Sequence, residues 1–150
     1  MRSFRITLAM FSCLAAAGCH TMTPPADFVS PEGTDRGTYV MHSISADGVV
    51  VGLRTQDNPK QGTAGFWATA ISSELTSRGY KLVKSEDVQN SAGTSGKLLE
   101  FTTQQQGGSF TYLLALYVSS GQVVLAEAGG KADAFSGHAA DIRKSLLTAR

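Results

Sequence analysis

His138 and Asp141 stand three residues apart near the end of this 150-residue chain. On a helix that spacing puts them on neighbouring faces, where a carboxylate can orient an imidazole for proton transfer. A hydrolase centred on His138 also needs a nucleophile. Ser95, Ser119 or Ser120 would have to arrive by tertiary contact, and none of them stands in a Gly-x-Ser-x-Gly elbow. The plainer reading is a surface or half-buried histidine beside a carboxylate. Gly93-Thr94-Ser95-Gly96-Lys97-Leu98 invites comparison with a phosphate-binding loop, but its glycines are two residues too close and Leu98 replaces the hydroxyl that would reach Mg²⁺. It reads as a turn before a strand. His20, His42 and His138 are scattered, with no cysteine or carboxylate at ligand spacing, so no metal and no other cofactor is expected. Trp67 and Tyr112 could stack on a ligand, although core positions on a helix stripe and a strand face are the plainer explanation.

Composition narrows the classes further. Thirteen Lys and Arg face twelve Asp and Glu, too even a balance to supply the basic footprint of a nucleic-acid binder. With 42% hydrophobic and 17% charged residues, the chain has the make-up of one folded domain.

Both cysteines, Cys13 and Cys19, lie in the first twenty residues. Arg2 and Arg5 precede an apolar run over 6–17 that ends in small residues, the layout of an export signal and too short to span a bilayer. Ala16-Ala17-Gly18-Cys19 resembles the lipobox of bacterial lipoproteins. The resemblance implies that residues 1–18 are a signal peptide and that Cys19 becomes the mature N-terminus. Cys19 would be lipidated on sulfur and acylated on its amine with a chain such as palmitate. The membrane is then a partner through the anchor at Cys19. His20 follows the cysteine, where an aspartate tends to mean inner-membrane retention, so the resemblance implies the outer membrane, facing the periplasm. Three of the four prolines fall within 20–37, a stretch without hydrophobic period. Residues 19–37 therefore read as the lipidated cysteine and a semi-rigid tether, ahead of a domain over 38–150.

Alternation over 38–45 and 49–55, joined through Asp47-Gly48, predicts a hairpin. Ala64, Trp67, Ala68, Ile71 and Leu75 form one stripe of a helix over 62–78, with Thr63 placed to cap its start and Gly79 to end it. A short strand over 80–83 and a polar stretch over 84–96 should follow. Strand runs over 97–103, 109–118 and 122–128 have connections short enough to impose an antiparallel meander. The middle run is apolar on both faces, with Tyr112, Leu114 and Leu116 on one and Leu113, Ala115 and Tyr117 on the other. Such a strand must be covered on both sides. Gly129-Gly130 should end the last strand before a helix over 132–148 striped by Phe135, Ala139, Ile142 and Leu146.

This order, with the helix ending in Arg78-Gly79-Tyr80, the strand start Gly96-Lys97-Leu98-Leu99 and the passage Glu127-Ala128-Gly129-Gly130 into a helix with Phe135, resembles the PsbP/Mog-type fold and its DcrB-like lipoprotein branch. The resemblance implies an α+β fold, an antiparallel β-sheet sandwiched between helices (an α/β/α sandwich). It carries no catalytic residue. Members mostly dock on larger assemblies, so a protein partner is implied, reached through exposed sheet edges or the loops 56–61 and 84–96. Chaperones of this fold that shield hydrophobic helices are an alternative, as is a weak hydrolase centred on His138.

Overall fold

The computed structural model describes residues 19–31, 38–119 and 121–150; the signal-peptide reading lies outside them. Six strands, β1 (Tyr39–Ile44), β2 (Val50–Asp57), β3 (Lys81–Gln89), β4 (Ser95–Gln105), β5 (Gly108–Ser119) and β6 (Gln122–Lys131), make one sheet in the order β1-β2-β6-β5-β4-β3. Every pairing is antiparallel. Helix α1 (Ala64–Ser77) crosses β3, β4 and β5 on one face, and α2 (Ala132–Leu146) packs on β5 and β6 on the other.

β5 shows why both layers are needed. Leu113, Ala115 and Tyr117 are buried with Phe135, Ile142 and Leu146 of α2. Leu114 and Leu116 are buried with Ala68 and packed by Trp67, Ile71 and Leu75 of α1. The helix signals act as expected: the Thr63 hydroxyl accepts from Phe66 N at 3.1 Å, and Gly79 follows the last turn at φ +89°, a left-handed position that glycine adopts without cost.

Three expectations need correction. The polar stretch after residue 83 is not a loop, because β3 continues to Gln89 along the edge of β4. Its charged residues are held there by pairs such as Lys97–Asp87 at 2.7 Å and Arg143–Glu86. Gly129-Gly130 does not end β6, which runs to Lys131 and enters α2 directly. These glycines admit close neighbours: a Cβ on Gly130 would stand 3.0 Å from Val49 Cγ2, and one on Gly129 3.5 Å from the Tyr112 ring.

The third correction concerns the tether, whose described part is a strap on the domain. Thr21 and residue 150 exchange backbone hydrogen bonds of 2.9 and 3.0 Å. Ser145 Oγ donates to Thr23 O at 2.6 Å, and Val29 and Ile44 bond each other both ways at 2.9 Å. Met22 and Phe28 are buried in the α2-side core with Val51 and Leu53 of β2. Burial of the two side chains favours the docked strap by about 2 kcal/mol each, enough to outweigh the extended bias of the prolines. The strap thus covers the β1–β2 side of that sheet face, beside α2.

Candidate functional site

On the α1 face no described element covers β1 and β2 as the strap does on the other, while the α1-side core takes in Val123 and Leu125 of β6. This open half carries a buried carboxylate. Glu127 projects from an otherwise apolar run of β6. Tyr39 from β1 donates its hydroxyl to Glu127 Oε1 at 2.5 Å, and Tyr112 from β5 donates to Oε2. Arg54 from β2 adds Nε to Oε1 at 3.0 Å and Nη2 to Oε2 at 3.4 Å. Four strands therefore meet on one side chain. Gly52, opposite Glu127 in the ladder, lies under the Tyr39 ring: a Cβ there would come within 2.6 Å of Cδ1 and Cε1. Tyr39, Gly52, Tyr112, Glu127 and Gly129 line a hollow of about 170 Å³.

Burial, and then the charge and hydrogen bond of Glu127, push the Tyr39 hydroxyl up to about 12 and Tyr112 further. Both phenols remain neutral donors at physiological pH. The cluster is a charge-assisted clamp rather than a proton-transfer pair, since each carboxylate oxygen already accepts two bonds. Nothing in the reading of the sequence singled it out. The available signal was a lone Glu in the strand Val123-Val124-Leu125-Ala126-Glu127-Ala128.

Comparison with solved structures fits this architecture. The solution structure of cyanobacterial PsbP (CyanoP) from Synechocystis sp. PCC 6803 is 12% identical, with a TM-score of 0.63 over 88% of this chain and 86% of that one. LpqN of Mycobacterium tuberculosis, described as involved in cell envelope biogenesis, is 14% identical with a TM-score of 0.62 over 85% and 79%. The Ran-binding protein Mog1p of Saccharomyces cerevisiae is 11% identical with a TM-score of 0.56 over 89% and 86%. The chain has the PsbP/Mog fold. At these identities the likeness is one of fold alone. No protein-family model matches the sequence, and no curated protein sequence is significantly similar to it.

Within the PsbP/Mog fold, His138 meets carboxylates other than the one its spacing suggested. Its Nε2 lies 3.1 Å from both oxygens of Asp47, in the β1–β2 turn, and its Nδ1 lies 3.6 Å from Asp27 of the strap. Phe28 packs edge-on against the ring at 5.3 Å. Asp141 instead borders a hollow of about 380 Å³ with Thr23 and Pro24. Ser95 and Ser119 sit at the opposite end of the sheet, and Ser120 lies outside the described residues. Ser45, beside the same turn, donates its hydroxyl to Asp47 at 2.5 Å. His138 thus ties strap, turn and α2 together. Among the described residues no group of three or more His, Cys, Asp or Glu is placed to hold a metal ion.

Trp67 and Tyr112 do not form a pair. Tyr112 packs with Tyr80 and Phe101 at 6.1 and 6.2 Å, whereas Trp67 stands edge-on to Phe66 at 5.8 Å. That second pair sits above the β2–α1 loop, which buried Asn58 organises. Asn58 Nδ2 donates to Gly62 O at 2.9 Å, while its Oδ1 accepts from Gly62 N at 2.7 Å and Trp67 Nε1 at 3.2 Å. Asn58→Ala leaves the Gly62 amide and the indole without their acceptor, so a loss of about 2 kcal/mol is expected in urea denaturation. A change within error would show that the loop holds itself.

Charge state should shape both limbs of the pH–stability curve. Hydrogen bonds from Ser45 and then His138 hold the Asp47 carboxyl below its usual range, and Arg143 and then Lys84 do so for Glu86. A carboxylate depressed in the folded state contributes stability above its unfolded pKa and loses it as pH falls through the folded one. Asp47→Asn combined with Glu86→Gln should therefore flatten the acid limb below about pH 4. Tyr39 and Tyr117 are raised to about 12 from 10, chiefly by burial. Folded protein then binds more protons than unfolded between those values, and stability should fall as pH rises from 10 to 12. Thermal denaturation across pH checks both, and an acid limb unchanged in the double variant would refute the first.

Proposed function

We propose that this chain is a lipid-anchored, non-enzymatic accessory protein of the bacterial cell envelope, held at Cys19 and binding a protein partner. The observation that carries the reading is how closely packed chain follows Cys19. Cys19 is exposed, and from the next residue onward the strap is fixed: His20 Nε2 bonds Gln122 Oε1 at 2.8 Å, Thr21 pairs with residue 150, and Met22 is buried. Packed chain thus follows directly behind the cysteine that the lipobox makes the first mature residue. The signal before Cys19 and His20 after it favour the outer membrane, periplasmic side. The envelope role described for LpqN and the Ran binding described for Mog1p are consistent with an accessory, protein-binding use of the fold.

The open half of the α1 face is the surface we assign to the partner. Tyr39 and Arg54 are pre-set there by Glu127, so little side-chain freedom is lost on binding.

Mass spectrometry of the mature N-terminus tests the anchor, with an acylated Cys19 as the expected result. A photo-crosslinker at His42, on the open face, should capture a protein in intact envelopes where one at exposed Ser73 on α1 does not. Equal capture at the two positions would refute this face. Turnover of ester or peptide substrates that His138→Ala abolishes would overturn the non-enzymatic reading.

A further inference from the structure

Because the strap is pinned, a lipid on Cys19 leaves the domain almost no slack. Only His20 stands between Cys19 and Thr21, which is fixed to residue 150, and two extended Cα–Cα steps span only about 7 Å. Whatever surface lies at this end of the sheet must meet the bilayer.

The β2–α1 corner lies at that end. Gln122, the partner of His20, pairs with Asp57 at the end of β2. Asn58 N then donates to Gly121 O at 2.8 Å, so the loop over 58–62 hangs from the same β5–β6 turn that receives the strap. Above it, Pro59, Lys60, Gly62, Phe66 and Trp67 border an open groove of about 440 Å³. Phe66 is 61% exposed, unusual for an aromatic side chain in water. Aromatic rings with a nearby lysine suit the headgroup layer, where the ring edges and indole face apolar chains and the ammonium meets phosphate.

We infer that Phe66, Trp67 and Lys60 dock in the headgroup region of the membrane that holds the acyl chains of Cys19. This rests on the anchored reading above. Docking at two points fixes the tilt of the domain, whereas acyl chains alone would leave it free to rock.

Trp67 is the only tryptophan in the sequence and therefore reports on the site directly. The mature lipidated protein is reconstituted in phosphatidylcholine–phosphatidylglycerol vesicles, with or without lipids brominated near the glycerol end of the chains. The bromolipids should quench Trp67 emission by about half, and Phe66→Ser should remove most of that quenching while the circular dichroism spectrum stays native. Lipidated protein whose Trp67 is unquenched and open to iodide overturns docking and leaves anchoring intact. A mature chain without lipid overturns both. Shielding of Trp67 from iodide that grows with protein concentration in the absence of vesicles identifies a second copy as the occupant and overturns the bilayer. Shielding seen only in native envelopes, and not in protein-free vesicles, does the same in favour of a protein.

Discussion

Gly96→Ala should cost this domain a large part of its stability. A Cβ on Gly96 would lie 2.2 Å from the carbonyl oxygen of Leu116 and 2.5 Å from Tyr117 Cδ1. Neither neighbour can yield cheaply. Leu116 is in the middle of β5, laddered to β4 on one side and β6 on the other. The Tyr117 ring is buried in the α2-side core, with its hydroxyl donating to Leu146 O at 3.3 Å. Overpacking of a fixed core site costs about 3 kcal/mol or more, a large share of the 5–15 kcal/mol or so that holds a domain of this size. Gly137→Ala is the matching control. It lies within α2 with no atom closer than 4 Å to the added methyl. There the helix should gain up to about 1 kcal/mol, because alanine loses less backbone freedom than glycine. Urea denaturation of the two variants should move in opposite directions. A Gly96→Ala protein as stable as wild type would mean that β4 and β5 can separate locally, against the tight register described above.

Glu127→Ala should be the second most damaging change. It removes the common acceptor of two tyrosine hydroxyls and leaves Arg54 without its counter-charge at the sheet surface. Breaking a fully buried pair by deleting one partner costs about 3–5 kcal/mol. The Arg54 side chain is 33% exposed and can recover some water, so the expectation is about 3 kcal/mol. Glu127→Gln keeps the shape and loses the charge, and should fall between. The informative variant is the double replacement Arg54→Met with Glu127→Leu. Apolar groups of similar volume need no partner, and most of the lost stability should return. If the double variant is as unstable as Glu127→Ala alone, the tyrosines rather than the ion pair carry the cost.

How far the sequence reaches is clear from individual residues. The two-sided apolar pattern of β5 required two covering layers, and Thr63 and Gly79 bounded α1, because each is a local signal read over a few residues. β3 was missed beyond Val83 since its polar residues follow no strand propensity. They form a strand because β4 offers an unpaired edge and opposite charges. Met22 and Phe28 were overlooked for a related reason. Six residues apart among prolines they have no period, and only the groove beside α2 gives them a meaning. The partners of His138 and Glu127 were beyond sequence reasoning altogether. His138 finds Asp47 across 91 positions and Glu127 finds Arg54 across 73. Such meetings depend on which strands become neighbours, and no local pattern encodes that β2 docks on β6.

The pairing of Thr21 with residue 150 also imposes an order of events. On the anchored reading the chain is exported N-terminal end first, and Thr21 cannot find its backbone partner until residue 150 has also crossed. Contacts between such distant positions form late, since the loop they close is nearly the whole domain. Modifying enzymes that act before residue 150 arrives would meet Cys19 with the strap still open. Closure of the strap comes last and draws an already lipidated end against the finished sheet.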